Sequence, residues 1–310
     1  MSTLESLMTS PMYSSALLAG LAVVTMCGVL SVFVVVKRLG FVGQGVSHSA
    51  FGGVGVASLL AVMLPAAFAP HDGGGGMGEL LQFGVIVVFC IATALGMGLM
   101  SNRRTLPADT SIGMFLVGSM ALGAVLVHVS REMARSRGQS SLVQSWESIL
   151  FGSIFLVTRD EMYGGWVIAA LVLGVAWWFR RPLLFWVLDE ESSSAFGVPA
   201  GAMKGTLMVM LAVAVVVAMK LAGVVLATAL LVMPGAIALR LTQRLWPSVA
   251  ISVMAGIIGL IGGLLLSLRL DWPPGPSVVL TLTVIFALAS CIVWMSTRWA
   301  RPALVGEPVR

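Results

Sequence analysis

Charge is scarce in this sequence. Asp, Glu, Lys and Arg make up 10% of its 310 residues, against 58% apolar residues and a mean hydropathy of +1.02. No soluble core of this length needs so much apolar sequence, so the bilayer is the expected solvent. Cysteine is nearly absent too. Cys27, Cys90 and Cys291 fall inside apolar runs, are odd in number and lack C-x-x-C spacing, which reads as packing rather than metal or redox chemistry. No G-x-x-x-x-G-K-[ST] loop is present, which excludes P-loop nucleotide binding, and no H-E-x-x-H, paired carboxylate or serine–histidine constellation supports an embedded enzyme. Aromatic residues are not interleaved with the basic ones as a base-stacking array requires, so the net charge of +5 is not read as a nucleic-acid surface. The N-terminus has no basic n-region, so the first apolar run is expected to be a retained span.

Apolar runs of about 17–22 residues, each able to cross a hydrocarbon core roughly 30 Å thick, recur along the chain. They lie near residues 16–36, 44–68, 80–99, 111–128, 163–179, 205–219, 222–239, 248–268 and 277–295. The expected fold is all-α, a polytopic transmembrane helical bundle of eight or nine spans in one domain covering residues 1–310. The count turns on 205–239, where Lys220 either snorkels at a turn or caps one long tilted helix. Lys37 and Arg38, Arg103 and Arg104, Arg180 and Arg181 with Lys204, Arg240 with Arg244, and Arg298 with Arg301 all fall on one side, the cytoplasmic side by the Lys/Arg bias of short loops. This places a short N-terminus outside and a tail at 297–310 inside. The loop 130–147, with Arg131, Arg135 and Arg137, dissents by falling outside.

What is present in this apolar setting is a polar island, GQGVSHSAFGGVG, at residues 43–55. An ionisable group at membrane depth faces a bundle interior or a substrate path. On a helix, Gln44, His48 and Gly52 share one face at i, i+4 and i+8, giving an amide, an imidazole and then open space. Gly45, Ser49 and Gly53 make the adjacent stripe, a small-xxx-small pattern suited to close packing. His71, in a Gly-rich loop at 70–79, and His128, at an outer span end, read as ordinary surface histidines. Pro234 lies inside a span, where it removes a backbone hydrogen bond; a moving kink and a static one are both open readings.

Two further segments interrupt the run of spans. Residues 149–157 are apolar but too short to cross, as in a re-entrant or interfacial piece. Residues 188–204 carry Asp189, Glu190 and Glu191, which suit the first turn of a helix, then Ala195, Gly197, Val198 and Pro199, which end it in a forced turn.

Taken in order, these motifs resemble the ABC-3 family, the permease subunits of ABC importers for zinc, manganese and iron(II). GQGVSHSAFGGVG stands where that family has GDALSHA…GVA. Asp109 to Gly113 is similar to its D-T-A-I-G, residues 150–153 to its L-F-G-S/D, and DEESSSAFGVP at 189–199 to its coupling helix. Residues 226–241 resemble its L-L-I-x-P-A-A-T-A-R-L helix, and residues 271–276 its D-x-P-x-G ending. The resemblance spans roughly residues 15–297 and extends more distantly to siderophore and cobalamin permeases. It implies a fold similar to type II ABC importer permeases in the bacterial cytoplasmic (inner) membrane. The implied function is transport of a divalent transition-metal ion, zinc first with manganese or iron(II) next. His48, Gln44 and Ser47 would line the path. Asp189, Glu190, Glu191, Ala195, Gly197 and Val198 would meet the ATPase, and Gly45, Ser49, Gly52, Gly53 and Pro234 would serve packing or gating. Implied partners are an ABC ATPase dimer, a second permease copy or paralogue, an extracytoplasmic metal-binding protein and membrane lipid, with no cofactor bound by the chain itself. One departure stands out: the family's acidic residue four before the histidine is Gln44 here, and an amide binds a divalent cation more weakly than a carboxylate. The alternatives are a permease for a metal chelate such as a siderophore, and an ion-coupled secondary transporter, which would need intramembrane carboxylates and inverted repeats.

Overall fold

The computed structural model describes residues 11–68, 77–101, 107–137 and 154–300. Among them the chain is helical, with no strand. In order, the helices are α1 (Pro11–Val36), α2 (Gly40–Met63), α3 (Pro65–Phe68), α4 (Met77–Met100), α5 (Ala108–Ser136), α6 (Arg159–Trp178), α7 (Arg180–Leu188), α8 (Glu190–Ala195), α9 (Ala200–Ala222), α10 (Val224–Leu241), α11 (Leu245–Leu270) and α12 (Pro274–Ala300). Nine of these are long and apolar enough to cross a membrane. A helix satisfies its own backbone, which hydrocarbon cannot do for it.

The ambiguous stretch at 205–239 is two helices. They break at Gly223, with φ 86° and ψ 162°, and not at Lys220. Only glycine takes that conformation cheaply, whereas Lys220 remains in the last turn of α9. The expected span 44–68 is also shifted. It begins at Gly40 and stops at Met63, because Pro65 has no N–H to continue the ladder and restricts the residue before it.

α5 runs two turns beyond the expected end. Its 29 residues reach about 43 Å, more than the hydrocarbon core spans, so Arg131 and Arg135 sit on a helical extension past the apolar layer. Arg137 Nη1 donates to the Val62 carbonyl at 2.6 Å, capping the last turn of α2. Of the basic residues that break the charge rule, Arg137 thus has local work to do. Thr158 and Glu161 form a reciprocal capping box at the start of α6.

Ion pairs and hydrogen bonds between helix ends fix the alternation. At one end, rich in Lys and Arg, Lys37 meets Glu190, and Lys204 donates to Ser101 Oγ at 2.8 Å. At the opposite end, Lys220 lies 3.1 Å from Glu79 and 3.4 Å from Glu161.

α1 and α9 are the enclosed helices, with 72% of the apolar window of each buried against 17% for α12. α1 packs against α6, α10 and α11, while α2 packs against α4 and α5; α9 joins the two groups. The exposed apolar faces of α5 and α12 are suited to lipid or another chain. Among the described residues, the buried side chains are apolar apart from serines and threonines, the indole N–H of Trp186 and Nδ1 of the half-buried His48. The charged groups stay at the ends.

The segments 69–76, 102–106 and 138–153 lie outside the described residues, and with them His71, Arg103, Arg104 and the motif at 150–153. The end of the short apolar piece is described: Ile154–Leu156 is a single 3-10 turn, with Ile154 buried and Phe155 edge-on to Tyr13 of α1 at 5.3 Å.

Candidate translocation site

Starting α2 at Gly40 puts Gln44 in its second turn and His48 about 12 Å along the axis, well inside the apolar layer. Gln44 is exposed and His48 half-buried, so this stripe looks out of the protomer. The His48 ring stacks on Phe51, centroids 6.1 Å apart, while its Nδ1 is buried with no hydrogen-bond partner among the described residues. An imidazole nitrogen without a partner in a low-dielectric site is costly unless something else satisfies it.

Gly45 and Gly53 accept close neighbours. A Cβ on Gly45 would lie 2.7 Å from Ile112, and one on Gly53 would lie 3.0 Å from the Ile86 backbone. Ser49 donates to the Gly45 carbonyl at 2.8 Å and accepts from Ser119 Oγ of α5 at 3.0 Å. The open space expected beside Gly52 is filled. A Cβ there would meet the Phe89 ring at 2.6 Å and the Ser119 carbonyl at 2.9 Å, because α5 crosses at this level on its own small residues. Gly123 comes still closer, with its Cβ position 2.5 Å from the Phe51 carbonyl oxygen. Ser47 is fully buried and its hydroxyl bonds back to the Gly43 carbonyl, so it faces the bundle and not the Gln44–His48 stripe. Ser119 and Gly123 escaped the sequence reading, although their i, i+4 spacing is the same small-xxx-small signal.

Pro234 leaves α10 continuous and lies in a packed setting. Gly235 donates its N–H to Ser31 Oγ of α1 at 2.8 Å, and its Cβ position is 2.6 Å from the Ser31 backbone. Pro234 and Val24 in turn flank Gly256 of α11. The hydroxyl of Ser31 thus takes up a backbone donor next to the proline.

At the basic end, Asp189 Oδ1 accepts from the Ser192 N–H at 3.0 Å and caps α8 (Glu190–Ala195). Gly197 takes φ 77°, and Val198 N–H reaches back to the Ser193 carbonyl at 3.0 Å, a Schellman closure before Pro199. Ala195, Phe196, Gly197 and Pro199 are exposed, and Val198 is half-buried. The preceding helix α7 was not expected. Pro182 occupies its first turn, where a proline is tolerated, and Trp186 is 1% exposed beneath α8. Lys37 Nζ lies 2.8 Å from Glu190 Oε2 and 4.1 Å from the centre of the Trp186 ring. Each contact is worth about 1 kcal/mol.

His128 is exposed on α5, apart from the Gln44–His48 stripe. Among the described residues, no three His, Cys, Asp or Glu side chains gather as a metal cage.

The model of the ABC 3 transport family matches residues 9–293. The chain belongs to that family. It is 31% identical over 92% of its length, and 88% of the relative's, to the manganese transport system membrane protein MntC of Halalkalibacterium halodurans. It is 26% identical over 88% of its length, and 95% of the relative's, to the high-affinity zinc uptake system membrane protein ZnuB of Haemophilus influenzae. Its fold is shared with PsaBC from Streptococcus pneumoniae, solved in complex with Fab, at a TM-score of 0.72 and 24% identity over 92% of this chain and 93% of that one.

As an ABC 3 permease the chain is a multi-pass protein of the bacterial cytoplasmic membrane, and it is a transport subunit and not an enzyme. Hydrolysis of ATP falls to a separate subunit. Family membership sets the ion-coupled alternative aside.

Proposed function

We propose that this permease passes a divalent transition-metal ion along the α2 stripe of Gln44 and His48, entering from an extracytoplasmic binding protein and released at the basic, cytoplasmic end. The observation that carries this reading is the buried, unpartnered Nδ1 of His48, an imidazole nitrogen able to ligate a metal, whereas the other buried side-chain atoms without a partner among the described residues, Trp186 Nε1 and Ser290 Oγ, belong to an indole and a hydroxyl. An imidazole and an amide on one helix are too few ligands to hold a divalent ion tightly. That suits a transient site, since conduction needs release as much as binding. A second permease copy or paralogue, with its own stripe facing the first, would complete the coordination. α8 would dock on one subunit of an ATPase dimer, whose closure drives the spans between outward and inward states.

Zinc is the first cargo on donor chemistry, because neutral imidazole suits it and the acid that a harder ion would use is absent at Gln44. Manganese is the second reading, supported by the 31% identical relative named for that metal. The test is zinc and manganese uptake into vesicles holding the permease with its cognate ATPase and binding protein. His48→Ala is expected to lower uptake at least tenfold, on the order of 1.4 kcal/mol in the barrier, with assembly and ATP hydrolysis retained. Unchanged uptake would return His48 to a packing role.

A further inference from the structure

Lys37 sits where two parts of the molecule meet. It is the first residue after α1, and Arg38 beside it adopts φ 56°, reversing the chain so that α2 begins at Gly40. Its ammonium is held from two sides, by Glu190 Oε2 of α8 at 2.8 Å and by the Trp186 ring of α7 at 4.1 Å. The Lys37 side chain is 14% exposed and Trp186 only 1%. A lysine at a bundle end ordinarily extends its ammonium into water on a mobile stem. This one is withdrawn onto a buried ring and a single carboxylate. The acid is the first residue of the short helix read above as the ATPase-facing one, and the lysine is three residues from the start of the helix that carries Gln44 and His48.

α8 is tied covalently on both sides, through Asp189 to α7 and through Gly197 and Pro199 to α9, and the charge of Glu190 also reaches Lys204 of α9. The Lys37 contact is the tie that leads into the α1–α2 turn. Because α2 is close-packed on α4 and α5 through Gly45, Gly52 and Gly53, a pull on its first turn moves it as a rod and does not dissipate in side chains. We propose that Lys37 is a positioning residue that carries displacement of α8 to α2, so that force on the ATPase-facing helix re-aims the Gln44–His48 stripe. This rests on the transport reading given above.

The experiment uses the full transporter, permease with ATPase and binding protein, in proteoliposomes, and reads metal uptake and ATP hydrolysis together. Lys37→Met keeps the stem and removes the charge; it and Glu190→Gln are expected to lower uptake per ATP hydrolysed about fivefold or more while hydrolysis persists. The exchange Lys37→Glu with Glu190→Lys is expected to recover most of that ratio, which a purely structural loss would not do. A ratio matching wild type in Lys37→Met, or an exchange no better than its single variants, would overturn the proposal. A second readout needs no cargo. Phe41, 60% exposed in the first turn of α2, is changed to Cys in a Cys291→Ser background, where the remaining thiols Cys27 and Cys90 are buried. Its maleimide labelling rate is expected to change on adding ATP, and to stop doing so in Lys37→Met. Labelling that ignores ATP with Lys37 in place, or that still responds in Lys37→Met, would overturn the proposal. Wild-type vesicles that take up neither metal would instead sink the transport reading while leaving the labelling comparison intact.

Discussion

Where α10 crosses α1, and where α5 crosses α2, a glycine presses a backbone on the opposite helix: Gly235 against Ser31 and Gly123 against Phe51. The polar groups at the two crossings are used differently. At the first, hydroxyls bind across the helices, with Ser31 accepting from the Gly235 N–H and nearby Ser252 of α11 donating to the Gly28 carbonyl at 2.7 Å. At the second, Ser49 donates to a carbonyl of its own helix and accepts from Ser119, and the histidine one position away has a nitrogen with no hydrogen bond among the described residues. One crossing has spent its polar groups on holding helices together. The other leaves an imidazole nitrogen without a partner among the described residues, beside the stripe that faces out of the protomer, and that nitrogen is what the proposed transport reading puts to use.

The largest expected effects come from filling the two contacts. Gly235→Ala places a Cβ 2.6 Å from the Ser31 backbone, and Gly123→Ala places one 2.5 Å from the Phe51 carbonyl oxygen. With backbone on both sides, neither overlap is relieved by a rotamer change, and each should cost about 1–3 kcal/mol. Thermal unfolding of the purified complex in detergent should show both as a lowered midpoint. Uptake per folded transporter should separate them: retained in Gly235→Ala, reduced in Gly123→Ala, because only the second pushes directly on the α2 backbone, beside His48. If both variants lose stability and neither loses uptake, the distinction between the crossings fails.

Smaller effects should follow from single hydroxyls. Ser252→Ala removes a bond between helices, at about 0.6–1.7 kcal/mol, while the Gly28 carbonyl keeps its place in the ladder of α1. Ser47→Ala removes a bond within α2 only, where the Gly43 carbonyl already has the helix ladder, and should cost a few tenths of a kcal/mol. Uptake in Ser47→Ala should match wild type, since that hydroxyl faces the bundle. A Ser47→Ala permease with impaired uptake but normal unfolding would put Ser47 back on the path.

Most of the helices were legible from length alone, because hydrocarbon thickness dictates how many apolar residues a span needs. What escaped was decided by the backbone and by contacts between distant segments. Gly223 carries no hydropathy signal, yet its positive φ separates α9 from α10, while Lys220, the visible punctuation, pairs with Glu79 and Glu161. The face of α2 could be drawn from spacing, but the space beside Gly52 could not. Phe89 and Ser119 fill it from helices whose register no local pattern encodes. The α8 turn was readable because Asp189, Gly197 and Pro199 act locally. Lys37 and Trp186 meet across 149 residues of sequence and left no local trace.

The smallest expected effect on stability is also the sharpest test of the Gln44–His48 stripe. Gln44 is exposed on the protomer, so Gln44→Asp should leave the unfolding midpoint unchanged. Its carboxylate would stand one turn from the imidazole, with Cβ atoms about 5–6 Å apart, close enough for both to reach one ion. A carboxylate neutralises cationic charge and suits the harder ion better than an amide does. The half-saturating concentration should therefore fall severalfold for manganese, on the order of 1 kcal/mol, and less for zinc. Because a tighter site releases more slowly, the maximal rate should fall with it. A variant in which neither metal's half-saturation moves would mean that cargo does not pass this turn of α2, and the unpartnered nitrogen of His48 would then need another explanation.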